Sequence, residues 1–122
     1  MKEFKLIVAG GRDFTDYAKA SNAINELANG SVCTPYAVAI VSGMARGADA
    51  IGAEFARNNN VVLYEFPANW DVHGKRAGFI RNEEMGRFSD GLLAFWDGQS
   101  RGTKHMIEFM KRLNKPVFVV NY

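Results

Sequence analysis

The sequence lacks several features that define well-known classes of protein. Its 122 residues include a single cysteine, Cys33, which excludes a disulfide framework and a zinc site built from several cysteines. The aliphatic runs at 6–9, 38–41 and 117–120 are far shorter than the roughly 20 apolar residues that span a bilayer, so membrane insertion is excluded. The first residues carry charge but are not followed by an apolar stretch with a small-residue cleavage site. We therefore expect no export signal and a cytoplasmic protein.

The sequence also has only a small excess of positive over negative charge and only two histidines. The 15 basic and 13 acidic residues leave a net charge of +2, well short of the basic domain typical of nucleic-acid-binding proteins, so nucleic acid is disfavoured as a partner. His73 and His105 are far apart in the sequence and have no His or Cys neighbour, so we expect no metal. With 48% hydrophobic residues, the chain can build one domain over residues 1–122 without a disulfide or a metal.

What the sequence does contain is an alternation of short apolar runs with amphipathic segments. The runs at 4–9, 36–41, 61–66, 92–96 and 117–120 predict buried strands, and the segments 16–29, 48–59, 76–88 and 104–113 predict helices. Thr15 and Thr103 are candidate caps of the first and last helix. Apolar strands separated by helices are typical of a parallel sheet covered on both faces. The predicted fold class is therefore α/β: a three-layer, doubly wound, Rossmann-like domain with about five parallel strands and four helices.

The four strand-to-helix turns hold most of the unusual residues. Eight of the 12 glycines lie there, at 10, 11, 43, 47, 74, 78, 98 and 102, together with six basic residues. In a doubly wound sheet these turns meet at the carboxyl edge, where ligands bind. Glycine allows close backbone approach, helix N-termini present free N–H groups, and arginine matches phosphate oxygens. The pattern predicts a cradle for an anionic ligand.

Two common phosphate-binding motifs are absent. The segment 10–14, GGRDF, lacks the G-x-G-x-x-G pattern, and no acidic residue ends the second predicted strand. The segment 98–104, GQSRGTK, has the wrong glycine spacing for a P-loop. These departures exclude a standard dinucleotide dehydrogenase and a P-loop NTPase. Ser42 is not framed as G-x-S-x-G, so we interpret it as a hydrogen-bond donor and not as a nucleophile.

The segment 41–49, VSGMARGAD, resembles the S-G-x-A-x-G-x-D loop of the SLOG superfamily, which includes DprA and the LOG phosphoribohydrolases. GGRDF at 10–14, PANW at 67–70, GKRAG at 74–78, RNEEM at 81–85 and AFWDGQSRGT at 94–103 resemble its small YspA and cpYpsA-related branch. The resemblance implies a sensor or processing domain of bacterial and phage conflict systems that binds a nucleotide-derived ligand, and it is compatible with a homodimer. The LOG motif carries a catalytic glutamate after its Gly-Thr pair. Here Lys104, His105 and Met106 follow Gly102-Thr103, which puts LOG-type hydrolysis in doubt.

Our first hypothesis is a domain that binds a mononucleotide, NAD or an ADP-ribose compound at the carboxyl edge of the sheet; beyond that ligand, no cofactor is predicted. Arginines would hold phosphates, aspartates would meet ribose, and Trp70 would either stack on a base or anchor its loop. For Asp49 the favoured role is to stabilise a helix N-terminus, and contact with a ribose hydroxyl is the alternative. The expected ligand-binding residues are Gly10, Gly11, Arg12, Asp13, Ser42, Gly43, Arg46, Gly47, Asp49, Trp70, Arg76, Arg81, Asp97, Gly98, Ser100, Arg101, Gly102 and Thr103.

Two alternatives use the same edge. One is an enzyme that cleaves an N-glycosidic or phosphate-ester bond, with Glu84 or Asp71 as acid or base. The other, taken from DprA, is single-stranded nucleic-acid binding, which the small net charge disfavours. Helical spacing places Arg81 and Glu84 on the core-facing side of their helix, where they would form either a structural ion pair or a ligand contact.

Overall fold

The computed structural model describes residues 2–30 and 37–122, which form strands and helices in alternation. The strands are β1 (Glu3–Gly10), β2 (Ala37–Ser42), β3 (Leu63–Glu65), β4 (Gly91–Trp96) and β5 (Val117–Asn121). The helices are α1 (Tyr17–Asn29), α2 (Ala48–Asn58), the short α3 (Trp70–His73), α4 (Ala77–Phe88) and α5 (Arg101–Arg112). All strand pairs are parallel, in the order β3-β2-β1-β4-β5. The predicted doubly wound α/β fold is confirmed.

Alternate residues of the central strand β1 build two separate cores. Leu6 and Val8 belong to the apolar cluster that contains Ile24, on the face covered by α1 and α2. Ile7 belongs to the cluster that contains Met106, on the face covered by α4 and α5. Because strand side chains alternate between faces, one apolar run supplies both clusters. This arrangement makes the three layers.

The chain changes direction along the sheet at β1. It adds β2 and β3 on one side of β1 and then crosses over to add β4 and β5 on the other. At the carboxyl edge, Gly10 is in register with Phe95 of β4. Such a switch point opens a crevice between the turns that leave the two neighbouring strands, and ligands of this fold class bind there.

Both predicted helix caps lie a few residues from the observed ones. Asp16 caps α1 by accepting a hydrogen bond from the Lys19 N–H at 3.0 Å. Ser100 caps α5, where its Oγ accepts from the Thr103 N–H at 3.4 Å, so Thr103 lies inside the first turn and not at its start. Any of these short polar side chains can cap a helix, and the path of the preceding turn decides which one does.

The segment between β3 and α4 is more ordered than the predicted loop. Asn69 Oδ1 accepts from the Val72 N–H at 3.2 Å and caps α3, and a 3-10 turn over Gly74–Arg76 leads into α4. The predicted loop at 31–35, with Cys33, and the predicted strand start at Tyr36 lie outside the described residues. Of the helices within 2–30 and 37–122, none has the length and apolar character needed to cross a membrane.

Candidate functional site

Two adjoining cavities lie at the carboxyl edge of the sheet, and together we call them the sheet-edge groove. The first has a volume of about 440 Å³ and the second about 320 Å³, and both are lined by Arg12, Ala45 and Arg81. All four strand-to-helix segments contribute to the walls. The other lining residues are Ala9, Gly10, Gly11, Asp13, Asp49, Asn82, Asp97, Ser100, Gly102, Thr103 and Met106 in the first cavity, and Gly43, Met44, Arg46, Pro67, Ala68 and Trp70 in the second.

Glycine allows two of these turns to pack against each other. Gly47, just before α2, has φ +77°, and a Cβ atom there would lie 2.2 Å from the Gly11 carbonyl oxygen. The same carbonyl accepts a hydrogen bond from the Ala48 N–H at 3.1 Å. Any side chain at 47 would therefore separate the turn after β1 from the start of α2. This contact closes the floor of the groove.

Asp49 is the buried acid of the groove. It lies in the first turn of α2 and is 5% exposed. Burial raises the pKa of its carboxyl from 3.8 to about 6, although Arg81, the Ala45 and Gly10 backbone hydrogen bonds and Arg12 act in the opposite direction. This carboxyl is therefore mostly ionised at neutral pH and gains its proton under mildly acid conditions, because the arginines only partly offset the effect of burial on its pKa.

Arg81 reaches the groove from α4 and is held in place by the protein. Its Nη1 donates to the Gly43 carbonyl oxygen at 2.5 Å and its Nε donates to Asn82 Oδ1 at 3.1 Å. Burial lowers the pKa of this guanidinium, and Asp49 partly offsets that shift. Arg81 lines both cavities, so its positive charge borders the whole groove.

Asn82 is a groove residue that sequence reasoning missed. It is 8% exposed, lines the first cavity and donates from Nδ2 to the Gly102 carbonyl oxygen at 3.3 Å. It therefore connects α4 to the first turn of α5. In the sequence Asn82 stands among the charged residues Arg81, Glu83 and Glu84, so nothing distinguishes it until the buried side of α4 is known.

The buried side of α4 is rotated relative to the prediction. Asn82, Met85 and Gly86 are buried against α5 and the sheet, whereas Glu84 is exposed. The placement of Glu84 toward the core was therefore wrong. Close packing selects this side, because Gly86 lies directly against the ring of Phe109 on α5.

The exposed rim of the groove combines cations, an aromatic ring and two carboxylates. Arg12 and Arg46 are exposed, and Trp70 is 51% exposed at the far end of the second cavity. Asp13 Oδ1 accepts from the Tyr122 hydroxyl at 2.5 Å, and burial together with this bond raises the pKa of Tyr122 to about 12.

Asp97 is the second rim carboxylate. Its Oδ1 accepts from the Gln99 and Ser100 N–H groups at 2.8 and 2.9 Å, which lowers its pKa. Both rim carboxylates therefore hold the protein's own turns in place.

Several predicted site residues do not line the groove. The Ser42 hydroxyl is fully buried, donates to the Asp49 carbonyl oxygen at 2.9 Å and accepts from the Met44 N–H at 3.1 Å, so it fixes the turn before α2. Gly47 acts through the turn contact described above. Absent from both cavity linings and exposed are Glu84, Asp71, Arg76, Gly98 and Arg101. Within the described residues, no group of three or more His, Cys, Asp or Glu side chains is arranged to hold a metal ion.

Sequence comparison shows the family. A family model described as YAcAr, the YspA, cpYpsA-related SLOG family, matches residues 4–73. The chain therefore belongs to this family, on the Rossmann-like fold seen here. A relative in Mycobacterium phage D29, the Gene 61 protein, is 34% identical over 119 residues, which cover 93% of each chain.

Two solved structures share the fold. DNA processing protein A from Helicobacter pylori superposes with a TM-score of 0.69 at 21% identity, covering 95% of this chain and 64% of that one. The Streptococcus pneumoniae protein gives a TM-score of 0.72 at 16% identity, covering 97% of this chain and 50% of that one. This chain thus spans between half and two-thirds of their length, and identities this low show similarity of fold alone.

These comparisons contradict two predictions made from the sequence. The Helicobacter pylori protein is described by its single-stranded DNA binding mode. A nucleotide-derived small molecule was therefore the wrong first choice of ligand, and nucleic acid was wrongly disfavoured as a partner. The physical reason is that net charge averages over the whole surface and does not report the local field near groove arginines such as Arg12 and Arg46.

Proposed function

We propose that this protein binds single-stranded nucleic acid, with single-stranded DNA as its first candidate, along the sheet-edge groove. The observation that carries the proposal is the geometry of the two adjoining cavities, which share Arg12 and Arg81 and end at the exposed ring of Trp70. A groove that presents cationic side chains beside an aromatic ring is the general way in which proteins hold single strands without reading their sequence. The fold shared with DNA processing protein A supports the same choice.

Phosphates would bind at the junction of the cavities. Arg12 is exposed there, Arg81 is fixed by the Gly43 carbonyl oxygen, and Arg46 lies on the rim. The first turn of α5 adds the positive end of a helix dipole, since Gly102 and Thr103 line the first cavity. Arginine suits this role because its planar fork matches two phosphate oxygens.

Trp70 would carry the stacking contact. It begins α3, which Asn69 caps, so the indole is attached to a short helix and not to an irregular loop. With half of its surface exposed, the ring has a free face for a base. Stacking of this kind contributes about 1–3 kcal/mol per base and tolerates any base.

The acidic residues of the groove limit the strength of binding without preventing it. Asp13 and Asp97 accept hydrogen bonds from the protein, and protonation removes the charge of Asp49 at pH values below about 6. Three arginines facing phosphates would give a salt dependence with a slope of about −2, because each neutralised phosphate of a single strand contributes about −0.7. We therefore expect a shallow salt dependence and faster or tighter binding at mildly acid pH.

Fluorescence anisotropy with a labelled oligothymidylate and a duplex of matched length tests the proposal. The single strand should bind more tightly than the duplex. The double variant Arg12→Ala/Arg46→Ala should weaken binding and reduce the magnitude of the salt slope by about 1.4. Lys111→Ala is the matched control, because Lys111 is exposed at the far end of α5 and lines neither cavity. Absence of single-strand binding at low salt, or equal binding by the double variant, would contradict the proposal.

A further inference from the structure

A third cavity lies on the outer face of the α4–α5 pair, and we call it the α4–α5 hollow. It has a volume of about 310 Å³ and is lined by Phe79, Arg101, Lys104, His105, Glu108 and Arg112. Three of these side chains carry a permanent positive charge and one carries a negative charge. The hollow is thus more basic than the sheet-edge groove, where aspartates face the arginines.

Phe79 projects from α4 into this basic surface. Its ring is 45% exposed and meets the His105 ring edge-on, with 4.6 Å between the ring centroids. An aromatic ring that is half open to solvent and surrounded by cations has the composition of a base-stacking site.

The cations and the histidine around Phe79 are partly fixed. Arg112 lies over the Phe109 ring at 5.6 Å, and His105 Nε2 is 3.3 Å from Glu83 Oε2. The stacking site is therefore bordered by groups held through their own contacts.

The hollow and the groove are separated by a wall formed around the first turn of α5. Around the first turn of α5, Gly102 and Thr103 line the groove, whereas Arg101 and Lys104 line the hollow. In the same wall, Asn82 faces the groove and its Nδ2 is 3.4 Å from Nδ1 of His105, which faces the hollow. The groove and the hollow therefore lie on opposite sides of the first turn of α5.

We propose that a single strand held in the sheet-edge groove passes over the first turn of α5 and continues into the α4–α5 hollow, where Phe79 stacks on a base. Arg101, Lys104 and Arg112 neutralise its phosphates there. This inference rests on the proposed function and extends its site. Glu108 lies one helical turn from both Lys104 and Arg112, so it keeps these cations apart without cancelling the excess of positive charge.

Oligonucleotides of two lengths distinguish binding in the groove alone from binding that also reaches the hollow. Single-strand-binding modules cover about 4 to 16 nucleotides, so oligothymidylates near these two lengths are compared on the full chain. Phe79→Ala should weaken binding of the long oligonucleotide by about five- to hundredfold and leave the short one unchanged. Arg101→Ala/Arg112→Ala should reduce the magnitude of the salt slope by about 1.4, for the long oligonucleotide only.

Matched controls distinguish stacking and local charge from general effects. Phe79→Leu keeps an apolar side chain without a ring and should bind the long oligonucleotide as weakly as Phe79→Ala. Leu113→Ala removes an exposed apolar side chain that directly follows α5 and lies outside the hollow, and Arg57→Ala/Lys111→Ala removes two exposed charges elsewhere. Both controls should bind as the wild type does. Thermal unfolding verifies that every variant is folded.

Three results would overturn the inference. If hollow variants bind the long oligonucleotide as the wild type does, while Arg12→Ala/Arg46→Ala binds weakly, the strand ends in the groove and only the extension fails. If the wild type binds neither length, the proposed function itself fails. If sedimentation shows that Phe79→Ala abolishes self-association and leaves oligonucleotide binding intact, the hollow is a contact between two copies of the chain.

Discussion

The two ends of the sheet use similar residues for different purposes. At the amino end, the Lys115 ammonium donates to the carbonyl oxygens of Gly86, Arg87 and Ser89 at 2.8, 3.2 and 2.7 Å, and so closes the C-terminus of α4. Lys5 and Asp90 pair through the Lys5 N–H to Asp90 Oδ2 and the Asp90 N–H to the Lys5 carbonyl oxygen, both at 2.8 Å. At this end of the sheet, the Lys115 cation therefore binds backbone oxygens of the protein itself.

At the carboxyl end, the cations project into the sheet-edge groove. Arg12 and Arg46 are exposed, and Arg81 is fixed beside the buried carboxyl of Asp49. The protein tolerates a buried acid, positive φ angles and an exposed indole at this end. The difference teaches that the Arg12 and Arg46 cations of the carboxyl end are left open to solvent, whereas the Lys115 cation of the amino end is engaged by carbonyl oxygens, as expected when exposed loops stand on a packed scaffold.

Gly47→Ala, at the carboxyl end, should have the largest effect on the free energy of unfolding. The added Cβ would lie 2.2 Å from the Gly11 carbonyl oxygen at φ +77°, so the free energy of unfolding should fall by about 2–4 kcal/mol. Gly98→Ala is the control, because φ is +83° there but nothing lies within 4 Å of the added atom, so it should cost only about 1 kcal/mol. Denaturant unfolding measures both. Equal losses would show that backbone conformation alone, and not the packing of the two turns, holds the groove.

The buried carboxyl of Asp49 should make the stability of the protein depend on pH. The folded pKa of about 6 lies above the ordinary 3.8, so the folded state holds the proton more tightly than the unfolded state does. The contribution to stability is therefore fully present below about pH 4 and is lost as pH rises to about 6, a change on the order of 3 kcal/mol. Asp49→Asn should lack this change when unfolding is measured from pH 4 to 7. If both proteins show the same pH dependence, the acid does not oppose folding.

Lys115→Met should lower stability and leave oligonucleotide affinity unchanged, the reverse of the effect expected for the groove arginine variants. Removal of the ammonium leaves three carbonyl oxygens without their donor, which should lower the free energy of unfolding by about 1.5–3 kcal/mol. Oligonucleotide affinity at a temperature where the variant is folded should not change, because Lys115 lies at the far end of the strands. Lys111→Met, at an exposed position, should alter neither quantity. Weaker binding by folded Lys115→Met would show that the two ends are coupled.

Local patterns predicted the scaffold well. Apolar runs near 4–9 and 92–96 coincide with β1 and β4 within one residue at each end, because strands buried on both faces need uninterrupted apolar side chains. The helix caps were less predictable. Thr15 and Asp16 are both good caps, as are Ser100 and Thr103, and only the path of each turn selects one.

The candidate site was predicted in outline and missed in detail. The glycine and arginine pattern pointed to the carboxyl edge, and the groove lies there. Asn82 was overlooked and Glu84 was placed on the wrong side of α4, because a helix with apolar residues on several sides does not reveal which arc is buried. The residue pattern did not separate a nucleotide from a strand of nucleotides, because both present the same phosphates and sugars.

The sequence by itself determined the order of strands and helices, the two-sided burial of the sheet and the turns that carry glycine and arginine, since each depends on residues close together in the chain. Only the tertiary structure decided that Arg12 and Arg81 meet between two cavities, that Asp49 is buried, and that the first turn of α5 divides the groove from the α4–α5 hollow. The physical reason is that burial and the local field arise from residues distant in sequence, which packing brings together.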